Sequence, residues 1–144
     1  MNTATLIHLA SAIAAVGLGA WQLAAAKRGL RHRGVGYAWM LAMALAAGSS
    51  FWLKSSLGFD WLGGFSPIHA LSAYTLVALV LAIVFAIRRD FARHRRFVVG
   101  AYTGLAIAGV FAIASPGRAL NSLIFVELPR LLAGEWSGAL LALI

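Results

Sequence analysis

Four histidines, His8, His32, His69 and His94, are the residues of this chain best suited to chemistry. His8 and His69 each sit about one helical turn inside one end of an apolar stretch. His32 and His94 lie in basic runs, Arg31-His32-Arg33 and Arg93-His94-Arg95. Two neutral imidazoles on opposed helices are what a haem b needs for the fifth and sixth positions of its iron. On that reading His8 and His69 form one metal-ligand pair and His32 and His94 a second. Arg31, Arg33, Arg93 and Arg95 flank the second pair and supply cations for haem propionates. The first pair has no basic neighbours but the drier helical context. Ser11 and Ser72 follow three residues on, Ala12 and Ala73 four residues on, so each histidine is expected to share a face with a hydroxyl and a small side chain. The balance favours His8 and His69 if only one site is used.

The same histidines have a plainer reading. A histidine near a membrane helix end often hydrogen-bonds a neighbouring helix, and His32 and His94 suit a loop facing anionic headgroups. Tyr37, Trp39 and Tyr102 could contact a porphyrin or quinone ring, yet aromatic residues near helix ends also anchor at the interface. Other chemistry is poorly provided for. The chain has no cysteine, which excludes disulfides, thiol catalysis and thiolate metal sites. It has no phosphate-cradling glycine loop, no G-x-S-x-G and no H-E-x-x-H. No acidic residue falls inside an apolar stretch, so a proton-coupled transporter lacks its usual relay group.

The elements that position these residues follow from composition. Of 144 residues, 62% are hydrophobic and 11% charged, with a mean hydropathy of +0.87. A soluble domain carries about 25% charged residues, so too few polar groups remain here to cover a water-facing surface. The net charge of +8 would suggest nucleic acid in a soluble protein. Here the cations sit between apolar spans, and no nucleic-acid partner is expected. A bilayer core needs about 20 apolar residues in a helix. Four segments qualify: Thr3–Ala26, Val35–Leu53, Pro67–Ile87 and Phe97–Ala114. The first lacks a basic n-region and is too long for a signal peptide, so it reads as a retained helix.

Nine of the twelve cations fall in the first and third connections: Lys27, Arg28, Arg31 and Arg33, then Arg88, Arg89, Arg93, Arg95 and Arg96. Positive connections stay in the cytoplasm, which places both termini outside, in a bacterial inner membrane. The second connection has only Lys54, offset by Asp60, with Trp52 and Trp61 as interface anchors.

Sliding the chain on itself by 61 residues aligns Ile7-His8 with Ile68-His69, Ser11-Ala12 with Ser72-Ala73, and Lys27-Arg28 with Arg88-Arg89. The unit is a helical hairpin used twice, over about 3–54 and 65–114. The expected fold is an all-α integral membrane protein, a four-transmembrane-helix bundle of two repeated hairpins over residues 1–114. Residues 115–144 form an apolar tail. Pro116-Gly117 stops the fourth helix, and Glu127, Pro129, Arg130 and Glu135 interrupt the apolar residues beyond it. That pattern fits short interfacial helices better than a fifth span. Gly100-xxx-Gly104, continued by Ala108, makes a close-packing stripe, used within the bundle or for a homodimer.

His8, Lys27-Arg28 and His32-Arg33-x-x-Gly36-Tyr37, with Arg93-His94-Arg95, Gly100-Ala101-Tyr102 and Pro116-Gly117-Arg118, resemble the prokaryotic membrane proteins catalogued as domain of unknown function 2306. That resemblance covers roughly Leu6 to Phe125 and implies a small multi-span bundle with no established activity. A looser resemblance runs to the two-haem b-type cytochromes that take electrons from ascorbate, whose alternate helices pair histidines at two depths. It implies His8 and His69 as outer ligands and His32 and His94 as inner ones. The longer ligand motifs and flanking helices of those cytochromes are missing here. The expectation is a haem-b-binding electron carrier with a membrane redox partner. A non-catalytic bundle that stabilises a larger membrane complex and a small transporter are the alternatives.

Overall fold

The computed structural model describes residues 3–25, 29–53 and 67–133. All regular structure among them is helical. Four long helices, α1 (Thr3–Ala24), α2 (Gly29–Ser50), α3 (Pro67–Ile87) and α4 (Phe91–Ala114), are followed by α5 (Ala119–Ser122), a π-helical turn (Leu123–Glu127) and α6 (Leu128–Leu132). At 22 residues, α1 and α2 are each about 33 Å long. Lys27, Arg28, Lys54, Asp60, Trp61 and the tail from 134, with Glu135, lie outside the described residues.

Two helix starts differ from the sequence reading. α2 begins at Gly29 rather than Val35, and α4 at Phe91 rather than Phe97. Arg31, His32 and Arg33, like Arg93 to Arg96, stay helical because arginine is a good helix former whose long side chain reaches back to water. Hydropathy therefore stopped where lipid solubility ends, not where the helix does. The start of α4 has a specific cap: Asp90 Oδ1 accepts the Arg93 backbone N–H at 3.0 Å, and Asp90 O accepts the first helical bond, from His94 N–H at 3.0 Å. This is the N-cap role to which a short carboxylate side chain is suited. Arg89 just before it sits at φ 58, completing a tight turn between α3 and α4.

The molecule divides into two compact units, Met1–Ala106 and Ile107–Ile144. In the first, the four long helices close a ring of neighbour contacts. α1 meets α2 along its length, and α2 meets α3 through a Ser50–Ser72 hydrogen bond. α3 meets α4 through stacked Phe85 and Phe97 rings, 5.6 Å apart. α4 returns to α1, where the Tyr102 hydroxyl donates to Val16 O at 3.4 Å. The core joins Ala15, Trp39, Ala42, Met43, Ala78, Leu79 and Ala101, so every one of the four helices contributes.

Burial in this unit runs opposite to that of a soluble bundle. Small and polar side chains lie inside, among them Ser11, Gln22, Ser50, His69, Ser72 and Thr75. Large apolar ones lie outside, for example Ile13, Leu41, Val77, Val80 and Ile83. Water would penalise so much exposed apolar surface. Lipid does not, and close packing of small residues is how membrane helices associate. α1, α3 and α4 are long and apolar enough to cross a bilayer. α2 is equally long, but its first turns carry Arg31, His32 and Arg33, and it falls short on composition.

In the second unit, α4 ends at Ala114 and the chain turns through Ser115–Arg118. Pro116 occupies the second position and Gly117, at φ 79, the third, the signature of a type II turn. Asn121 Nδ2 donates to Ile113 O at 2.6 Å across that turn, and the Arg118 guanidinium lies 5.7 Å from the Phe111 ring. Helix then continues without a break from Ala119 to Leu132, with Glu127, Pro129 and Arg130 inside it. The helix widens ahead of Pro129: Leu128 N–H bonds Leu123 O, five residues back. Proline lacks an N–H and its ring crowds the carbonyl four residues before it, and a π turn relieves both.

Candidate functional site

α1 presents one seam to the bundle: Ser11, Ala15, Gly19 and Gln22 are buried, and His8 lies on the same face, half-buried. The spacing from His8 to Ala15 to Gln22 is a heptad, the repeat that keeps one face turned towards a partner helix. The two ends of this seam meet different chemistry.

At the N-terminal end, His8 Nδ1 lies 2.9 Å from Ala46 O of α2 and 3.4 Å from Ser49 Oγ. A carbonyl oxygen only accepts, so Nδ1 carries the proton and donates. The Ser49 hydroxyl proton is already directed at Leu45 O, 2.6 Å away, so its oxygen too faces His8 as an acceptor. In the neutral ring the lone pair is then on Nε2. His69 of α3, 7% exposed, lies at the same end, its ring 5.8 Å from that of Phe51 and tilted by 50°. Next to it, the Ser50 and Ser72 hydroxyls hydrogen-bond at 2.7 Å. His8 and His69 thus approach the last turns of α2 from the two helices on either side of it. Hydroxyls line this end of the interior: Ser11 bonds Ile7 O at 2.5 Å, Ser50 bonds Ala47 O at 2.7 Å and Thr75 bonds Leu71 O at 2.9 Å. A shallow groove of about 420 Å³ beside it is lined by Ala4, Ile7, Ala44, Leu45, Gly48, Ser49 and Trp52.

At the other end, His32 and His94 belong to helices, not loops. His94 Nδ1 lies 2.8 Å from Ala82 O of α3, so it too donates from Nδ1. His32 differs. Gln22 Nε2 lies 2.8 Å from His32 Nδ1 and donates to His32 O at 2.7 Å. The four arginines expected near a propionate are at this end, far along the helices from His8. Arg31 lies 5.2 Å from the Trp21 ring and Arg93 5.3 Å from the Phe85 ring. Arg93 also pairs with Asp90 at 3.5 Å. Arg33 and Arg95 are exposed.

Between the ends, Trp39 and Tyr102 converge on Gly19. A Cβ at Gly19 would stand 2.6 Å from Trp39 Nε1 and 2.5 Å from Tyr102 Cε2. Trp39 is 2% exposed and its indole nitrogen has no hydrogen-bond partner among the described residues. Tyr37 is exposed. The Gly100 and Gly104 stripe lies against α3, where added Cβ atoms would be 3.2 Å from Tyr74 Oη and 3.2 Å from Leu71 Cδ1.

Of the small neighbours expected beside the histidines, Ser11 and Ser72 are buried, Ala12 is half-buried and Ala73 is exposed. The interior face of α3 advances from His69 to Ser72 to Thr75, in steps of three that leave Ala73 on the lipid side. Sequence reasoning missed Gln22, Ser50 and Thr75. Gln22 was detectable, two heptads on from His8.

The described residues hold no group of three or more His, Cys, Asp or Glu side chains able to bind a bare metal ion. Neither the curated proteins nor the solved structures contain a match to the chain, and the comparisons give no support to the cytochrome likeness. Residues 5–135 match the family described as "Predicted membrane protein (DUF2306)", and the chain, whose described residues include three helices fit to cross a bilayer, belongs to that family of membrane proteins.

Proposed function

We propose that the protein binds a haem b through His8 and His69 and carries electrons in the membrane to a redox partner. The observation that carries this reading is the His8 to Ala46 O bond. Histidines that ligate metals almost always donate their other ring N–H, often to a backbone carbonyl, which fixes both the tautomer and the ring plane. His8 has that arrangement. His69 shares its end of the bundle in a buried setting, which keeps water from competing for a ligand position. Small and hydroxyl side chains surround this end of the bundle, among them Ser11, Ser49, Ser50 and Ser72. Haem, when bound, would supply a one-electron couple. Both termini outside, as the cation distribution predicts, would put this site in the outer half of a bacterial inner membrane.

The test is a reduced-minus-oxidised visible spectrum of protein purified from haem-replete cells. We expect b-type bands, lost in His8→Ala and in His69→Ala but kept in His32→Ala and His94→Ala. A colourless wild-type protein refutes the reading. A second reading is a non-catalytic bundle that stabilises a larger membrane complex. Its support is that His8, His32 and His94 all tie one helix to the next, and a colourless protein with destabilised histidine variants would favour it.

A further inference from the structure

We propose that Gln22 is a positioning residue that holds His32 in the Nε2–H tautomer, which keeps His32 out of metal ligation and limits the bundle to one iron-binding end. The first half stands on the geometry alone. The second rests on the haem reading above.

Counting protons decides the tautomer. Gln22 is 8% exposed, so its amide must find its partners inside the bundle. One amide group contacts both His32 O, at 2.7 Å, and His32 Nδ1, at 2.8 Å. The carbonyl settles which way round the amide lies: an amide oxygen at that distance would face another oxygen with no proton between them. The contacting atom is therefore the NH2 group, which has two protons and no lone pair to offer. One proton goes to His32 O and the other to Nδ1, so Nδ1 must be the acceptor. The ring proton is then on Nε2.

Gly36 makes room for the contact. It lies one turn beyond His32 on α2, and a Cβ there would stand 3.2 Å from Gln22 Nε2. His94, the depth-matched partner of His32, is set the opposite way, because its Nδ1 meets a carbonyl, Ala82 O. The alignment of the two hairpins explains the difference. The shift of 61 residues that sets Lys27-Arg28 on Arg88-Arg89 carries Gln22 onto Ile83, which has no group to donate, and one more residue of offset sets His32 on His94. The two inner histidines are thus alike in depth and flanking charge but unlike in tautomer. Iron takes a lone pair on Nε2 or Nδ1. At His32 the first is protonated and the second already accepts from Gln22, so ligation there would require breaking the Gln22 contact.

The decisive experiment is nitrogen NMR of the full chain with labelled histidine in lipid nanodiscs, each signal assigned by its loss in a single His→Asn variant. We expect His32 to report Nε2–H, and His8 and His94 to report Nδ1–H. In Gln22→Glu, an acceptor replaces the donor, and His32 is expected to switch to Nδ1–H while His94 stays unchanged, showing that the fold is retained. A wild-type His32 with Nδ1–H, or no switch in Gln22→Glu with His94 intact, overturns the role of Gln22. Haem content gives the separate arm. One haem per chain, undiminished in His32→Ala, supports the single site, and two haems per chain, or half lost in His32→Ala, overturns it. A protein without haem sinks the haem reading and the single-site claim together, while the NMR result still decides for or against Gln22.

Discussion

Gly17 and Gly19 stand two residues apart on α1, and the same added methyl group should act oppositely at each. At Gly17 a Cβ meets nothing within 4 Å. At Gly19 it falls 2.5 Å from Tyr102 Cε2 and 2.6 Å from Trp39 Nε1. Neither ring is a loose end. Trp39 is 2% exposed, and the Tyr102 hydroxyl is tied to Val16 O. Replacing either glycine with alanine removes the same helical penalty, about 0.8–1.0 kcal/mol in water, so that contribution cancels when the two variants are compared. What remains is overpacking at Gly19, which costs about 1–3 kcal/mol in a closed core. Gly19→Ala should therefore be less stable than Gly17→Ala by that amount, roughly 5- to 150-fold in the unfolding equilibrium. Reversible unfolding in mixed micelles, followed by circular dichroism against the mole fraction of denaturing detergent, measures the difference directly. Superimposable curves would refute the reasoning, since the rings would then move aside at no cost and α1, α2 and α4 would not be close-packed there.

Asp90→Ala should cost about 1 kcal/mol in the same assay by removing the N-cap of α4, while Asp90→Asn should be near neutral, because the exposed Arg93 pair adds little. The Ser50–Ser72 hydrogen bond should show a coupling of about 0.6 kcal/mol in a double-mutant cycle with alanine, and no coupling would mean that each hydroxyl is satisfied as well by its own helix. Reporter fusions should read cytoplasmic at Gly29 and Phe91 and external at Gly58 and at the C-terminus. A cytoplasmic C-terminus would contradict the four-span topology.

Existence and order of the long helices were legible in the sequence because a bilayer demands uninterrupted apolar runs, and Pro67–Ile87 emerged with the same bounds. The helix starts at Gly29 and Phe91 were not legible by hydropathy, which measures where a segment tolerates lipid. Backbone hydrogen bonding continues past that point wherever arginines can extend to water. Asp90 was a readable start signal for α4, one residue before Phe91. Helix faces were only partly legible. Counting four residues on from each histidine placed Ala12 and Ala73 alike, but on α3 the buried row runs through Ser72 and Thr75. Which i+3 or i+4 neighbour turns inward depends on how the helix is rolled against its partners, and that is fixed only when all four are packed.

The chemistry of the histidines was the least legible, for a reason that reaches beyond this chain. A sequence names a side chain, whereas the role of an imidazole is set by whether its neighbour donates or accepts. Ala46 and Ala82 have nothing to offer but backbone carbonyls, yet those carbonyls direct His8 and His94 to present a lone pair on Nε2. Gln22 does the reverse to His32. Flanking arginines, in Arg31-His32-Arg33 and Arg93-His94-Arg95, group His32 with His94, and they do not sense a proton. The difference lies in one amide on a neighbouring helix, that of Gln22 on α1. The likeness of two histidines is therefore to be judged at the second partner of each ring, and by that measure His32 and His94 differ although their flanking sequences look alike.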